Sequence, residues 1–122
     1  MPLTVIDASA LGAMVFGEPE AEAMAERLAE ASLAAPALIW FELANVCLKK
    51  IKKQPEQEER FLAALRRARE MQIAICEVDP VEVVPLARST GLTAYDASYL
   101  WLARHENADL VTLDQPLADA FA

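Results

Sequence analysis

The chain has one histidine, two cysteines and three glycines among 122 residues, and it has fewer cations than anions. Cys47 and Cys76 stand far apart, with no second Cys and no His at ligand spacing. A disulfide framework, a CxxC redox motif and a Cys/His zinc site are therefore excluded. Unpaired thiols fit a reducing cytosol. Eleven Lys and Arg against nineteen Asp and Glu give a formal charge of −8, which excludes an overall basic surface wrapped around nucleic acid. The longest apolar run, residues 33–41, falls far short of the roughly 20 residues a bilayer demands. The N-terminal apolar stretch has no basic region ahead of it and is interrupted by Asp7, so no signal peptide is expected. Linkers, repeats and low-complexity segments are also missing. The expectation is a soluble, cytoplasmic protein without membrane contact.

Hydrophobic residues make up 55% of the chain and charged residues 25%, which excludes disorder. The length suits one domain, residues 1–122, able to bury roughly two-thirds of its unfolded surface. Short apolar runs at 3–6, 33–35, 73–76 and 110–112 read as strands. Helical spacing covers 9–16, 20–31, 37–53, 56–71, 80–90 and 93–105, with a last helical turn at 115–121. Gly17 and Gly91 stand where helices stop, and Pro36 and Pro80 where they start. Strands alternating with helices imply parallel strands joined by right-handed crossovers, hence an α/β sandwich.

Charge is unevenly spread. Residues 49–70 hold eight basic and four acidic side chains, a net +4, and the other three basic and fifteen acidic residues give −12. This segment reads either as a solvated helical hairpin with pairs such as Glu56–Arg60 or as a phosphate-binding tip on an acidic body.

Four carboxylates stand out. Asp7 ends the first strand, Asp114 follows the fourth, and Asp96 lies three residues after Thr93. Each has a structural explanation as a helix cap or capping-box partner. Glu42 has none: it sits mid-helix in an almost wholly apolar stretch, with Asn45 one turn on. Ligands of parallel α/β sheets bind beyond the carboxyl ends of the strands, the edge to which Asp7 and Asp114 belong. Four carboxylates gathered to about 6 Å would cost on the order of 3 kcal/mol per pair at an effective dielectric near 20. Such a cluster needs a cation or bound protons. With oxygen donors and no Cys or His, the cation is Mg²⁺ or Mn²⁺ rather than zinc, and the chemistry it suits is phosphodiester hydrolysis.

At these residues the sequence resembles the PIN-domain ribonucleases, and most closely the VapC toxins of toxin–antitoxin pairs. Val5-Ile6-Asp7-Ala8-Ser9-Ala10-Leu11 is similar to the family's opening strand with its first metal Asp and nearby Ser. Phe41-Glu42-Leu43-Ala44-Asn45-Val46 is similar to the helix carrying its Glu. The segment from Gly91 to Leu100 supplies the third acid, Asp96, and Thr112-Leu113-Asp114 the fourth, with Thr112 as the accompanying hydroxyl. The resemblance implies a PIN-like three-layer sandwich around a parallel sheet ordered 3-2-1-4. The family often adds a fifth edge strand, for which the eight residues after Asp114 leave little chain. It also implies a metal-dependent endoribonuclease acting on transfer or ribosomal RNA, leaving 5′-phosphate and 3′-hydroxyl ends. A homodimer inhibited by a VapB-type antitoxin completes the picture.

On this reading Asp7, Glu42, Asp96 and Asp114 form the catalytic and metal-binding pocket. Ser9 and Thr112 orient a carboxylate, a water or the scissile phosphate. His105 reads as a helix C-terminal residue favoured by the dipole, and Asp119 as a surface acid. Two alternatives differ in class. A phosphorelay receiver needs an Asp after its third strand and a late Lys, but Asp79 is offset and no Lys follows Lys53. A catalytically silent PIN-like scaffold would have no need of all four acids.

Overall fold

The computed structural model describes residues 3–122. The first strand, β1 (Leu3–Ile6), leads into α1 (Ala8–Val15) and α2 (Ala21–Leu28). The second, β2 (Ser32–Ala35), is followed by α3 (Leu38–Lys53), a 3-10 turn at Pro55–Gln57 and α4 (Glu58–Glu70). After β3 (Ile73–Ile75) come α5 (Pro80–Thr90) and α6 (Ala94–His105), and β4 (Asp109–Val111) precedes α7 (Gln115–Phe121). Every pairing is parallel and the sheet order is β3-β2-β1-β4. No fifth strand occurs among the described residues, and the segment after Asp114 is helical instead.

The order dictates the layers. The chain steps outward from β1 to β2 to β3, with α1–α4 in the connections, then reverses to place β4 on the far side of β1. A right-handed crossover in the reverse direction must use the opposite face. Accordingly α1 packs with α2, α3 and α4, whereas α6 packs with α5 and α7. The central strand β1 is covered on both faces, and Val5 and Ile6 are fully buried. A receiver-like sheet places the third strand beside the first; here β3 lies at the edge beside β2, so that alternative falls.

Some boundaries differ from expectation. The second helix ends at Leu28 rather than near 31, because Ala29–Ala31 turn into β2. Thr112 lies just past β4, released from the ladder to serve the site below. Gly91 ends α5 in the left-handed region, φ +76, and its N–H closes on the Ala87 carbonyl. The third helix, apolar nearly all round, buries Ile39, Leu43 and Cys47 but leaves Phe41 and Leu48 exposed.

Gly12 sits inside α1, where an added Cβ meets Leu43 Cδ1 at 3.5 Å and Phe16 and Val46 at 3.9 Å. These are ordinary contacts, so Gly12→Ala should stabilise the fold by about 0.5–1 kcal/mol through helix propensity. A midpoint in urea unchanged or lowered against the parent would contradict this.

Candidate active site

The strand order has a switch point between β1 and β4, where successive connections leave for opposite faces. A crevice opens there beyond the carboxyl ends of the strands. Ile6 is in register with Val111, and the next backbone N–H, that of Asp7, reaches the Val111 carbonyl at 3.3 Å. Asp7 is thereby fixed at the mouth of the crevice, only 4% exposed.

The Asp7 carboxylate is held from three sides. Oδ1 accepts from the Ala10 N–H at 3.0 Å, capping α1, and from the Ser9 hydroxyl at 2.7 Å. Oδ2 accepts from the Thr112 hydroxyl at 2.5 Å. Ser9 Oγ in turn accepts from the Leu113 N–H and Thr112 Oγ1 from the Asp114 N–H, each at 2.9 Å. The two hydroxyls therefore orient a carboxylate, and they also tie the loop after β4 to the start of α1. Asp114 caps α7 by accepting from the Leu117 N–H at 3.0 Å.

Glu42 is half-buried on α3, and its Oε1 accepts from the Tyr99 hydroxyl of α6 at 2.5 Å. The sequence alone does not single out Tyr99, although its place three residues after Asp96 puts both on one helix face. Burial, reinforced by the Glu42 hydrogen bond and charge, pushes the Tyr99 phenol far above its usual range, so it stays a donor. Asp96 lies in the first turn of α6, where Thr93 Oγ1 accepts its N–H at 3.1 Å. That is one half of a capping box. The Thr93 hydroxyl also engages the Asp96 carboxylate, a hydrogen bond that lowers its pKa against burial.

One open cavity of about 280 Å³ is lined by Asp7, Glu42, Asp96 and Asp114, together with Ser9, Asn45 and Tyr99. Four acids spread over the chain thus meet at one place. Ser9 lines the same cavity, and Thr112 touches it through Asp7. His105 stacks on Trp101 at 4.5 Å at the far end of α6, away from these acids, and Asp119 is an exposed partner of Gln115.

The electrostatics match the crowding. Burial raises the Asp7 pKa against its three hydrogen bonds, and Asp114 adds to the rise. Burial also raises Glu42, opposed by the Tyr99 hydrogen bond and aided by Asp96 and Asp7. For Asp96 burial again leads, followed by repulsion from Asp114 and Asp7. The donors facing the cavity are carboxylate, hydroxyl and amide oxygens, a hard set that suits Mg²⁺ or Mn²⁺. As placed, they line the cavity without forming a closed cage: among the described residues no three Asp, Glu, His or Cys side chains are grouped closely enough to enclose an ion.

These shifts set the sign of a pH effect. Folded-state pKa values of Asp7, Glu42 and Asp96 lie above their unfolded values. The native state then binds more protons than the unfolded chain, so stability falls as pH rises from about 4 through the folded values. In chelator the melting temperature should be lower at neutral pH than at mildly acidic pH, with a shallower slope in Asp7→Asn. An identical slope in the variant would assign the effect to the net charge of −8 instead.

Comparison with known proteins agrees with this fold. The chain matches the PIN-domain family over residues 4–120. It is 31% identical to Ribonuclease VapC3 of Pyrobaculum aerophilum, over 96% of this chain and 93% of that protein. The fold superposes on the crystal structure of PAE2754 from Pyrobaculum aerophilum with a TM-score of 0.78 and 27% identity, covering 98% of this chain and 86% of that one. Among the described residues no helix is long and apolar enough to cross a membrane.

Proposed function

We propose, on the premise that this chain belongs to the PIN-domain family and within it to the VapC ribonucleases, that it is the toxin of a VapBC-type pair. Its activity on this reading is a Mg²⁺- or Mn²⁺-dependent endoribonuclease. The observation that supports the reading most is the single cavity lined by Asp7, Glu42, Asp96 and Asp114 at the switch point of the sheet. A divalent cation held there would supply an activated water and offset charge on the phosphoryl oxygens.

The chain's own residues do the positioning. Ser9 and Thr112 lock the Asp7 carboxylate in one orientation. Tyr99 fixes Glu42 from the opposite helix. Asp96 faces the same cavity from the first turn of α6. No side chain serves as a covalent nucleophile. The deciding experiment is cleavage of a labelled RNA with Mg²⁺ or Mn²⁺ and its abolition by chelator. Intact RNA at saturating metal, with folded protein, would leave the silent scaffold as the better reading.

An acidic body must also hold a polyanion. In the +4 hairpin, Lys50 is paired with Glu18 and lies over the Phe16 ring at 5.7 Å. Arg69 lies over Trp40 at 5.0 Å, and Arg66 is 3.6 Å from Glu59. Lys49, Lys52 and Lys53 are exposed and make no ion pair among the described residues. Changing these three to Gln should weaken RNA binding and lower the log–log salt slope by about 0.7 for each phosphate no longer neutralised. Parent affinity and slope would make the hairpin a solvated arm.

Protein partners on this reading are a second copy and a VapB-type antitoxin. Ile75, Val81 and Val84 are exposed on the β3–α5 side of the fold and offer such partners apolar area. Cytoplasmic placement follows from the same function.

A further inference from the structure

Three of the four acids are preceded in the chain by a large exposed apolar residue. Phe41, 78% exposed, precedes Glu42; Tyr95, 67% exposed, precedes Asp96; Leu113, 41% exposed, precedes Asp114. The two aromatics are placed alike. Phe41 stands one helical turn before Asn45, and Tyr95 one turn before Tyr99, and both Asn45 and Tyr99 line the carboxylate cavity. The Tyr99–Glu42 hydrogen bond joins α3 to α6 across that cavity, and Phe41 and Tyr95 stand on those two helices next in sequence to its acids, exposed just outside its lining.

We infer that Phe41 and Tyr95 are base-stacking platforms that hold the unpaired bases of single-stranded RNA on either side of the carboxylate cavity. This rests on the nuclease reading above and names the residues that would grip the bases of its substrate. A rim of carboxylates repels phosphate, and a neutral π-face gives a nucleotide a contact that the local charge does not oppose. Only bases outside a duplex present their faces to side chains, so stacking selects single strands, loops and bulges. A protein partner fits less well. The core of a protein interface is depleted of charge, whereas these exposed side chains border a cavity lined by Glu42, Asp96 and Asp114. Apolar–acidic alternation suits a ligand that itself alternates apolar bases with phosphates bridged to the acids by cations.

The test measures binding and cleavage separately. Fluorescence anisotropy of a labelled, randomised single-stranded RNA pool on the Asp7→Asn protein reads binding alone. Adding Phe41→Ala or Tyr95→Ala should weaken it about 5- to 150-fold, the range for removing one stacking partner. Phe41→Trp and Tyr95→Phe should restore it. An abasic ribose-phosphate chain should bind parent and Ala variants equally. In proteins retaining Asp7, the Ala changes should raise KM for a cleaved RNA more than they lower kcat. Unchanged affinity for the pool, or equal weakening for pool and abasic chain, overturns the inference. So does unchanged RNA binding accompanied by loss of self-association, which would give both residues to a protein interface. Cleavage by the parent with any of these results leaves the nuclease reading standing. No cleavage by the parent at saturating metal removes that reading instead.

Discussion

Asp7→Asn is expected to lower RNA cleavage by about 100-fold or more while leaving the protein folded. Outer partners of metal ligands already account for roughly 10- to 100-fold in affinity or activity, and Asp7 stands at the cavity itself. Asn keeps the shape and the cap, since its carbonyl oxygen still accepts the Ala10 N–H. It removes a negative charge that burial and Asp114 oppose. The variant should therefore melt no lower than the parent at neutral pH in chelator, and Asp7→Ala, which loses the cap, should melt lower by about 1 kcal/mol of stability. Such a trade of stability for activity is the usual sign of a functional charge held in an unfavourable place. Cleavage by Asp7→Asn at the parent rate with added metal would show that the site has been assigned to the wrong carboxylate.

Most of the fold is legible in the sequence because its signals are local. Apolar runs of three or four residues bounded by Pro, Gly and polar breaks fall on the four strands, and the alternation with helices gives a parallel sheet. The strand order is not local. It comes from resemblance to a family, and the pairing of β1 with both β2 and β4 bears it out. For the site, Asp7, Asp96 and Asp114 each look like a cap from sequence, and Asp7 and Asp114 are caps. Capping and the proposed metal work coincide because a helix start beyond a strand end is where this topology puts its crevice. The sequence makes Glu42 a buried acid without a partner. It is half-buried and has one, Tyr99, which no spacing rule connects to it because 57 residues separate them. The apolar encirclement of α3 suggests burial all round, yet Phe41 faces solvent. Composition cannot distinguish an apolar face covered by the core from one that waits for a ligand.

The second large effect is expected from metal itself. The apo cavity confines Asp7, Glu42 and Asp96 where burial and mutual repulsion disfavour their ionised forms. A cation that binds only the native state relieves this and stabilises by about 2.7 kcal/mol at a free concentration near 100 times its Kd. For a chain of this size that corresponds to a rise of about 10 °C in the melting temperature. Mg²⁺ or Mn²⁺ added to chelator-treated protein at neutral pH should produce it, and at mildly acidic pH the rise should shrink, because protons then occupy the same acids. Asp96→Asn and Asp114→Asn should each reduce the shift. Changing Lys49, Lys52 and Lys53 to Gln should leave the metal-induced shift as it is, since that surface lies toward the other end of α3 from Glu42. Melting temperature can be followed without any RNA, so it separates metal binding from catalysis. A parent curve unmoved at saturating metal would mean that the carboxylates never close on a cation, and that the cavity lined by Asp7, Glu42, Asp96 and Asp114 is a set of caps and surface acids around an empty cleft.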